Sequence, residues 1–333
     1  MTANGTRRGE FQLIADLFLP LTRGAPGALG LADDAALIDV APGYQLVTTT
    51  DTLIAGVHFR KDDPPDQIAR TALRVNLSDL AAKSARPIGF LHALSLNDAI
   101  ADAYLERYAA GLGADVKEFG VPLLGGDTTS GPGPLTITIT AFGEVEKGKA
   151  LLRSGAQAGD VLCVTGTIGD GAIGLACLNA AVQLPAALAE YVIDRYRIPQ
   201  PRLKAGRALA GLATACLDVS DGLTADVGHL CKASGVTATI EREAVPLSPA
   251  ARVAVANDAR IWDDVLAGGD DYELAFTLPP DRRADLLRLA AELRLPLTVI
   301  GLVHRAEHGG EGGVTVLSDG QAVTPAKAGY SHR

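Results

Sequence analysis

The chain has 333 residues, 47% of them hydrophobic and 21% charged. That composition supplies material for two folded domains and excludes a disordered chain. A formal charge of −9 argues against a nucleic-acid surface, which needs clustered Lys and Arg. An acidic protein that handles anions must neutralise them locally, by metal or by a few placed cations.

The N-terminal stretch reads as an amphipathic helix with Phe11, Ile14, Leu17 and Phe18 on one side. Its short, acid-interrupted apolar run does not fit a signal peptide. No run reaches the ~20 apolar residues of a membrane span, and a cytoplasmic protein is expected. Cys163, Cys177, Cys216 and Cys231 have no C-x-x-C spacing and read as reduced, buried thiols. AALIDV and YQLVTTTD are expected as two strands around the turn at Pro42–Gly43. A helix over 66–83 follows, with Ile68, Leu73 and Leu77 on its apolar stripe. GFLHALSL reads as a strand, 98–119 as a long helix, VPLLGG as a short buried strand and LTITITAFGEV as an alternating strand. The connector GKALLRSGAQAGD separates an α+β domain, 1–148, from an α/β domain, 149–333. The second opens with VLCVTG and continues with alternating helices and strands to VTVLSD.

Aspartates recur beside Gly, Ser and Thr: Asp33 and Asp34 in GLADDAAL, Asp51 in TTTDTL, Asp79 in NLSDLAA, Asp127 in GGDTT, and Asp218 and Asp221 in LDVSDGL. Converging carboxylates without basic partners raise each other's pKa values. A hard cation removes that conflict, and Mg²⁺ takes oxygen ligands while keeping waters and substrate phosphates. The pattern therefore points to a polynuclear Mg²⁺ site for phosphate chemistry. Asp51 is expected at a strand's carboxyl edge, where α/β proteins bind ligands; a simple cap is the plainer reading. Asp79 lies among Leu77, Leu80, Ala81 and Ala82, so it is either a ligand or paired with Arg70, Arg74 or Lys83. In Gly125–Gly126–Asp127 the two glycines are expected to form a turn whose N–H groups make an anion nest. Asp218, Ser220 and Asp221 precede a helix, combining metal ligands with N–H groups at its N-terminus. The run Gly166–Gly174 fits G-x-G-x-x-G in its last six residues, but reads better as tight strand–helix packing, and there is no Walker A motif. Arg153 is a candidate phosphate clamp, though a plain surface arginine is commoner.

In order, GEFQLIA, DDAALI, TTDTLIAGVHF, ALRVNLSDLAA, GGDTT, RSGAQAGD, LDVSDGL and GGDDYEL resemble the thiamine-monophosphate kinase family. That family belongs to the ATP-dependent superfamily typified by aminoimidazole ribonucleotide synthetase. The resemblance implies an α+β, two-domain, aminoimidazole ribonucleotide synthetase-like subunit, and a homodimer whose N-terminal sheets join as a barrel. It implies ATP-dependent conversion of thiamine monophosphate to thiamine diphosphate by direct in-line transfer on several Mg²⁺ ions, between domains and without a phosphoenzyme. By position it implies Asp34, Thr49, Thr50, Asp51, Asp79, Asp127, Asp218 and Asp221 as metal ligands, with Asp51, Asp79 and Asp127 central to catalysis. Gly126, Asp127, Arg153 and Ser220 would contact the nucleotide, and His58 and Asp270 the thiamine monophosphate. Three positions depart from the family pattern: Ala32 stands where a Gly is usual, Asp270 where Glu is usual, and Lys327 where an aromatic residue is expected to face the thiamine rings. Tyr330 is the aromatic residue left for that role. The alternatives are a related enzyme activating another acceptor with ATP, or a nucleotide-binding protein without catalysis.

Overall fold

The structure, a computed structural model, describes residues 8–306, 312–324, 326 and 329. They form two compact units, one of residues up to 80 with 86–147, the other of 81–85 with 148 onward.

The first unit is built on four strands: β1 (Tyr44–Ile54), β2 (Arg86–Leu96), β3 (Leu123–Ser130) and β4 (Thr136–Glu146), in the order β1-β4-β2-β3. All are antiparallel to their neighbours except β3, which runs parallel to β2. The alternation in LTITIT does what its period dictates: Ile137 and Ile139 are buried, while Thr136, Thr138 and Thr140 are not. Two long helices, α2 (Pro65–Ala82) and α3 (Asp102–Phe119), lie on the buried face of the sheet. A buried network fastens them to each other, Arg74 reaching both Asp115 oxygens (2.6 and 2.8 Å) and Glu118.

Two sequence expectations fail here. The N-terminal helix α1 (Glu10–Leu13) passes into a wider π turn (Ile14–Phe18) and then a 3₁₀ turn (Leu19–Thr22). The change of winding breaks the 3.6 period, so Leu13 and Phe18 are buried while Phe11 is 85% exposed. Residues 35–40 form no strand. A strand needs a partner strand, and among the described residues this segment has none; the Leu37 N–H donates instead to Gly27 O in the 3₁₀ turn Pro26–Leu31.

The second unit carries seven strands, β5 (Val161–Thr165), β6 (Ala215–Asp218), β7 (Val236–Glu241), β8 (Leu274–Leu278), β9 (Leu297–Arg305), β10 (Val314–Ser318) and β11 (Gln321–Val323), in the order β11-β10-β7-β9-β5-β8-β6. Both faces are covered. Leu162 and Val164 of β5 enter one core, and Val161 and Cys163 enter the other. That is why VLCVT reads as a continuous apolar run rather than an alternating one. The first core is closed by α4 (Asp170–Leu178), α5 (Ala186–Arg197), α7 (Leu223–Ser234), α8 (Pro249–Asn257) and α9 (Ile261–Ala267); the second by α6 (Leu203–Leu209) and α10 (Arg283–Leu293). Cys163, Cys216 and Cys231 are buried free thiols. Burial pushes their pKa values up to about 12, 12 and 11, so they stay protonated and unreactive.

Candidate functional site

In the first unit Asp51 lies inside β1, three residues before its end, and pairs with Ile139 of β4. The strand's period of two puts Thr49 and Asp51 on the half-buried side. Asp79 of α2 meets them there, accepting a hydrogen bond from the Thr49 hydroxyl. Burial, and then the charge of Asp79, push the Asp51 carboxyl up to about 6. Arg70 and Arg74, two of the cations considered for Asp79, both bond Asp115 and Glu118. The result is two carboxylates and a hydroxyl held close.

Thr50 does not join them. Its side chain stands on the opposite face, its hydroxyl donating to Ile139 O and bonded to Thr140 Oγ1, each at 3.1 Å. On that open face Asp33, Asp34, Gly126 and Asp127 line a cavity of about 610 Å³ with Thr138, Thr140 and Phe142. Asp127 pairs in register with Ala93, which pairs with Thr138. The sheet therefore divides the acids of this unit into Asp51 with Asp79 on one side, and Asp33, Asp34 and Asp127 on the other. The expected Gly-Gly turn is absent, because β3 runs straight through Gly125 to Thr129. A Cβ on Gly126 would stand 1.9 Å from His92 O, so this glycine permits close strand pairing rather than an anion nest. His92 itself is buried, its Nε2 2.8 Å from the Tyr108 hydroxyl, and burial pulls its pKa down to about 4.

In the second unit Asp218 closes β6 and is buried, and the loop Val219–Gly222 leads into α7. The segment before β8 is laced to this loop: the Asp270 N–H donates to Ser220 O (2.9 Å), and the Tyr272 N–H to Val219 O (2.8 Å). Asp270 and Tyr272 hold left-handed backbone, φ 61° and 51°, a conformation costly for non-glycine residues and frequent at functional sites. Burial, then the charge of Asp221, push the Asp270 carboxyl up to about 7, so these two acids stand near each other. Gly329 lies beside Asp221 and Ala225. Tyr330 and Lys327 lie outside the described residues.

The N-termini of α7 and α4 are each occupied by a carboxylate of the chain itself. The N–H groups of Ser220, Asp221 and Gly222 donate to Asp226 Oδ2 at 3.0, 3.0 and 3.2 Å. Burial and the Asp221 charge push the Asp226 carboxyl up to about 7, against the pull of those N–H groups and of Arg153. Asp271 does the same at α4, accepting from Gly169 N (2.9 and 2.8 Å) and Gly171 N (3.3 Å). At α7 the protein's own carboxylate thus fills the position where the sequence suggested bound phosphate, while at α4 the glycine-rich run serves packing, as its sequence suggests. Asp226 and His92 went unremarked in the sequence. The readable signal for Asp226 was an acid in the first turn of a helix, which can reach back to loop N–H groups.

His58 sits in the turn after β1, where its Nδ1 accepts from Ile54 N at 3.0 Å. That leaves the proton of the neutral ring on Nε2. Arg153 is exposed, and its charge is felt at Asp226. Among the described residues no three His, Cys, Asp or Glu side chains gather closely enough to hold a metal ion by themselves. The donors present are all oxygens, carboxylate and hydroxyl, which suits a hard cation that completes its shell with water and phosphate.

Two family descriptions match the chain: AIR synthase related protein, N-terminal domain, over residues 32–145, and the corresponding C-terminal domain over 157–313. The fold is that of the AIR synthase related proteins. Within that class the similarity is specific. A thiamine-monophosphate kinase of Caulobacter vibrioides is 41% identical over 329 residues, 97% of this chain and 90% of its own length. The crystal structure of thiamine-monophosphate kinase from Stenotrophomonas maltophilia K279a matches with a TM-score of 0.82 at 40% identity, covering 92% of this chain and 97% of that one. A structure of AaThiL complexed with AMPPCP and TMP matches with a TM-score of 0.76 at 30% identity, over 98% and 97%. The chain belongs to the thiamine-monophosphate kinase family.

Proposed function

We propose that this chain transfers the γ-phosphoryl group of ATP to thiamine monophosphate, giving thiamine diphosphate and ADP. The observation that carries the reading is identity of 41% across 97% of the chain to a kinase of that name. The relative solved with AMPPCP and TMP supports the substrate pair.

An oxygen of the acceptor phosphate attacks Pγ in line as the Pγ–O bond to ADP breaks. That phosphate is already largely ionised near neutral pH, so no strong base is needed, and catalysis rests on positioning and charge neutralisation. Asp51, Asp79 and Thr49 supply one group of hard oxygen donors, Asp34 and Asp127 a second, and Asp218 and Asp221 a third. Thr50, whose hydroxyl faces away from Asp51, would contribute its main-chain oxygen. Bound there, Mg²⁺ would neutralise the facing phosphates. Burial and the Asp79 charge raise the Asp51 carboxyl, and a bound cation would lower it again. Gly126, Arg153 and Ser220 are assigned to the nucleotide; His58, Asp270 and Tyr330 are assigned to thiamine monophosphate.

We further assign the chain to a cytoplasmic homodimer joined through its N-terminal sheets. Among the described residues β1 is an edge strand with β4 as its one neighbour, and the segment before it carries the exposed Leu37, features that invite pairing with a second copy. No described helix is long and apolar enough to cross a membrane. Incubation with ATP, Mg²⁺ and a panel of acceptors tests the function. Thiamine diphosphate is expected from thiamine monophosphate, with no product from free thiamine. ATP turnover that instead follows a different acceptor would overturn the reading.

A further inference from the structure

The triple hydrogen bond at Asp226 carries an inference that rests on the reading of Asp218, Ser220 and Asp221 as metal- and nucleotide-binding residues. We propose that Asp226 is a positioning residue for phosphoryl transfer. Its carboxylate fixes the loop that presents those three residues, and it touches neither metal nor phosphate itself.

Asp226 is 2% exposed, and a single oxygen, Oδ2, accepts the N–H groups of three successive residues. Three consecutive peptide planes are thereby pinned with their N–H edges toward Asp226. The directions in which the Ser220 and Asp221 side chains leave the backbone follow from those planes. The other edge of the loop is fixed too, through Ser220 O and Val219 O, which accept from the Asp270 and Tyr272 N–H groups. Without Asp226 three donors at a helix start would lose their acceptor. They would then be free to take an anion directly, and the loop would trade a metal-ligand geometry for an anion-binding one. Outer groups that orient ligands in this way commonly matter by about 10–100-fold in metal affinity or activity.

The test uses the full chain and three proteins: wild type, Asp226→Ala and Asp226→Asn. An Asn side-chain oxygen accepts the same three N–H groups, whereas Ala accepts none. Hydrogen exchange in EDTA reads the loop without metal or turnover. The amides of 220–222 are expected to exchange slowly in wild type and in D226N, and fast in D226A, with the strands of the same unit unchanged. With Mg²⁺, ATP and thiamine monophosphate, the Mg²⁺ concentration for half-maximal activity is expected to rise about 10–100-fold in D226A, with KM for thiamine monophosphate little changed and D226N restoring the wild-type value. Free exchange of these amides in wild type would overturn the proposal whether or not a variant folds. So would a D226A protein with an unprotected loop and wild-type Mg²⁺ dependence, or a D226N as impaired as D226A. Failure of the functional reading is a separate result: wild type would make no thiamine diphosphate while the amides remained protected.

Discussion

Replacing Asp51 by Asn should stabilise the metal-free protein while abolishing its activity. The Asp51 carboxyl is displaced from 3.8 to about 6, by burial first and by the Asp79 charge second. At about 1.4 kcal/mol per pH unit that displacement is worth at most about 3 kcal/mol. Asp51 is only half-buried, and solvent screening reduces the figure to about 1–2 kcal/mol. The sign follows from proton counts. An unfolded Asp loses its proton near 3.8, whereas the folded one keeps it to about 6. Between those values the folded state binds more protons, so stability falls as pH rises, and the full penalty stands above pH 6. Asn carries no charge at any pH. In EDTA at about pH 7.5 the thermal midpoint of D51N should therefore exceed that of wild type by a few degrees, and the gap should close toward about pH 4. Added Mg²⁺ with ATP should raise the wild-type midpoint and leave the variant's nearly still. A variant less stable than wild type in EDTA at neutral pH, or one that keeps the full Mg²⁺ response, would refute the argument.

Asp127→Asn should abolish turnover with its thermal midpoint unchanged, since the residue is exposed on an edge strand; wild-type-like rates in the purified variant would remove Asp127 from the site. Gly126→Ala places a Cβ 1.9 Å from His92 O and should cost about 1–3 kcal/mol or more, read by denaturant unfolding; an unchanged midpoint would contradict the close strand approach. Arg74→Ala strips a fully buried partner from the buried Asp115. The expected loss is about 3 kcal/mol, the low end for a broken buried pair, because Arg70 still reaches Asp115 at 2.8 Å.

Period and punctuation made most of the fold legible. LTITIT, VLCVT and the stripe of Ile68, Leu73 and Leu77 bury as their spacing dictates. Local rules failed where the structure is not locally determined. Residues 35–40 have strand-like composition but no partner strand among the described residues, and the π turn at Ile14–Phe18 carries no composition that announces it. The candidate site was legible as residue types and less so as geometry. Thr49 with Asp79 follows from a strand and a helix crossing, which no spacing encodes. The resemblance places Thr50 beside Asp51 among the ligands, but adjacency in a strand puts their side chains on opposite faces. The glycines at 125–126 and the helix start at 220–222 resembled anion sites because sequence cannot show that a neighbouring strand or an internal carboxylate already fills the space.

The central claim is transfer from ATP to thiamine monophosphate on acid-held Mg²⁺. A single-turnover reaction with γ-labelled ATP tests it most directly. Label should appear in thiamine diphosphate in step with ADP when Mg²⁺ is present, none should appear in EDTA, and none should stay on the protein. Label in inorganic phosphate alone, on the protein, or in thiamine diphosphate without a divalent cation would contradict the account.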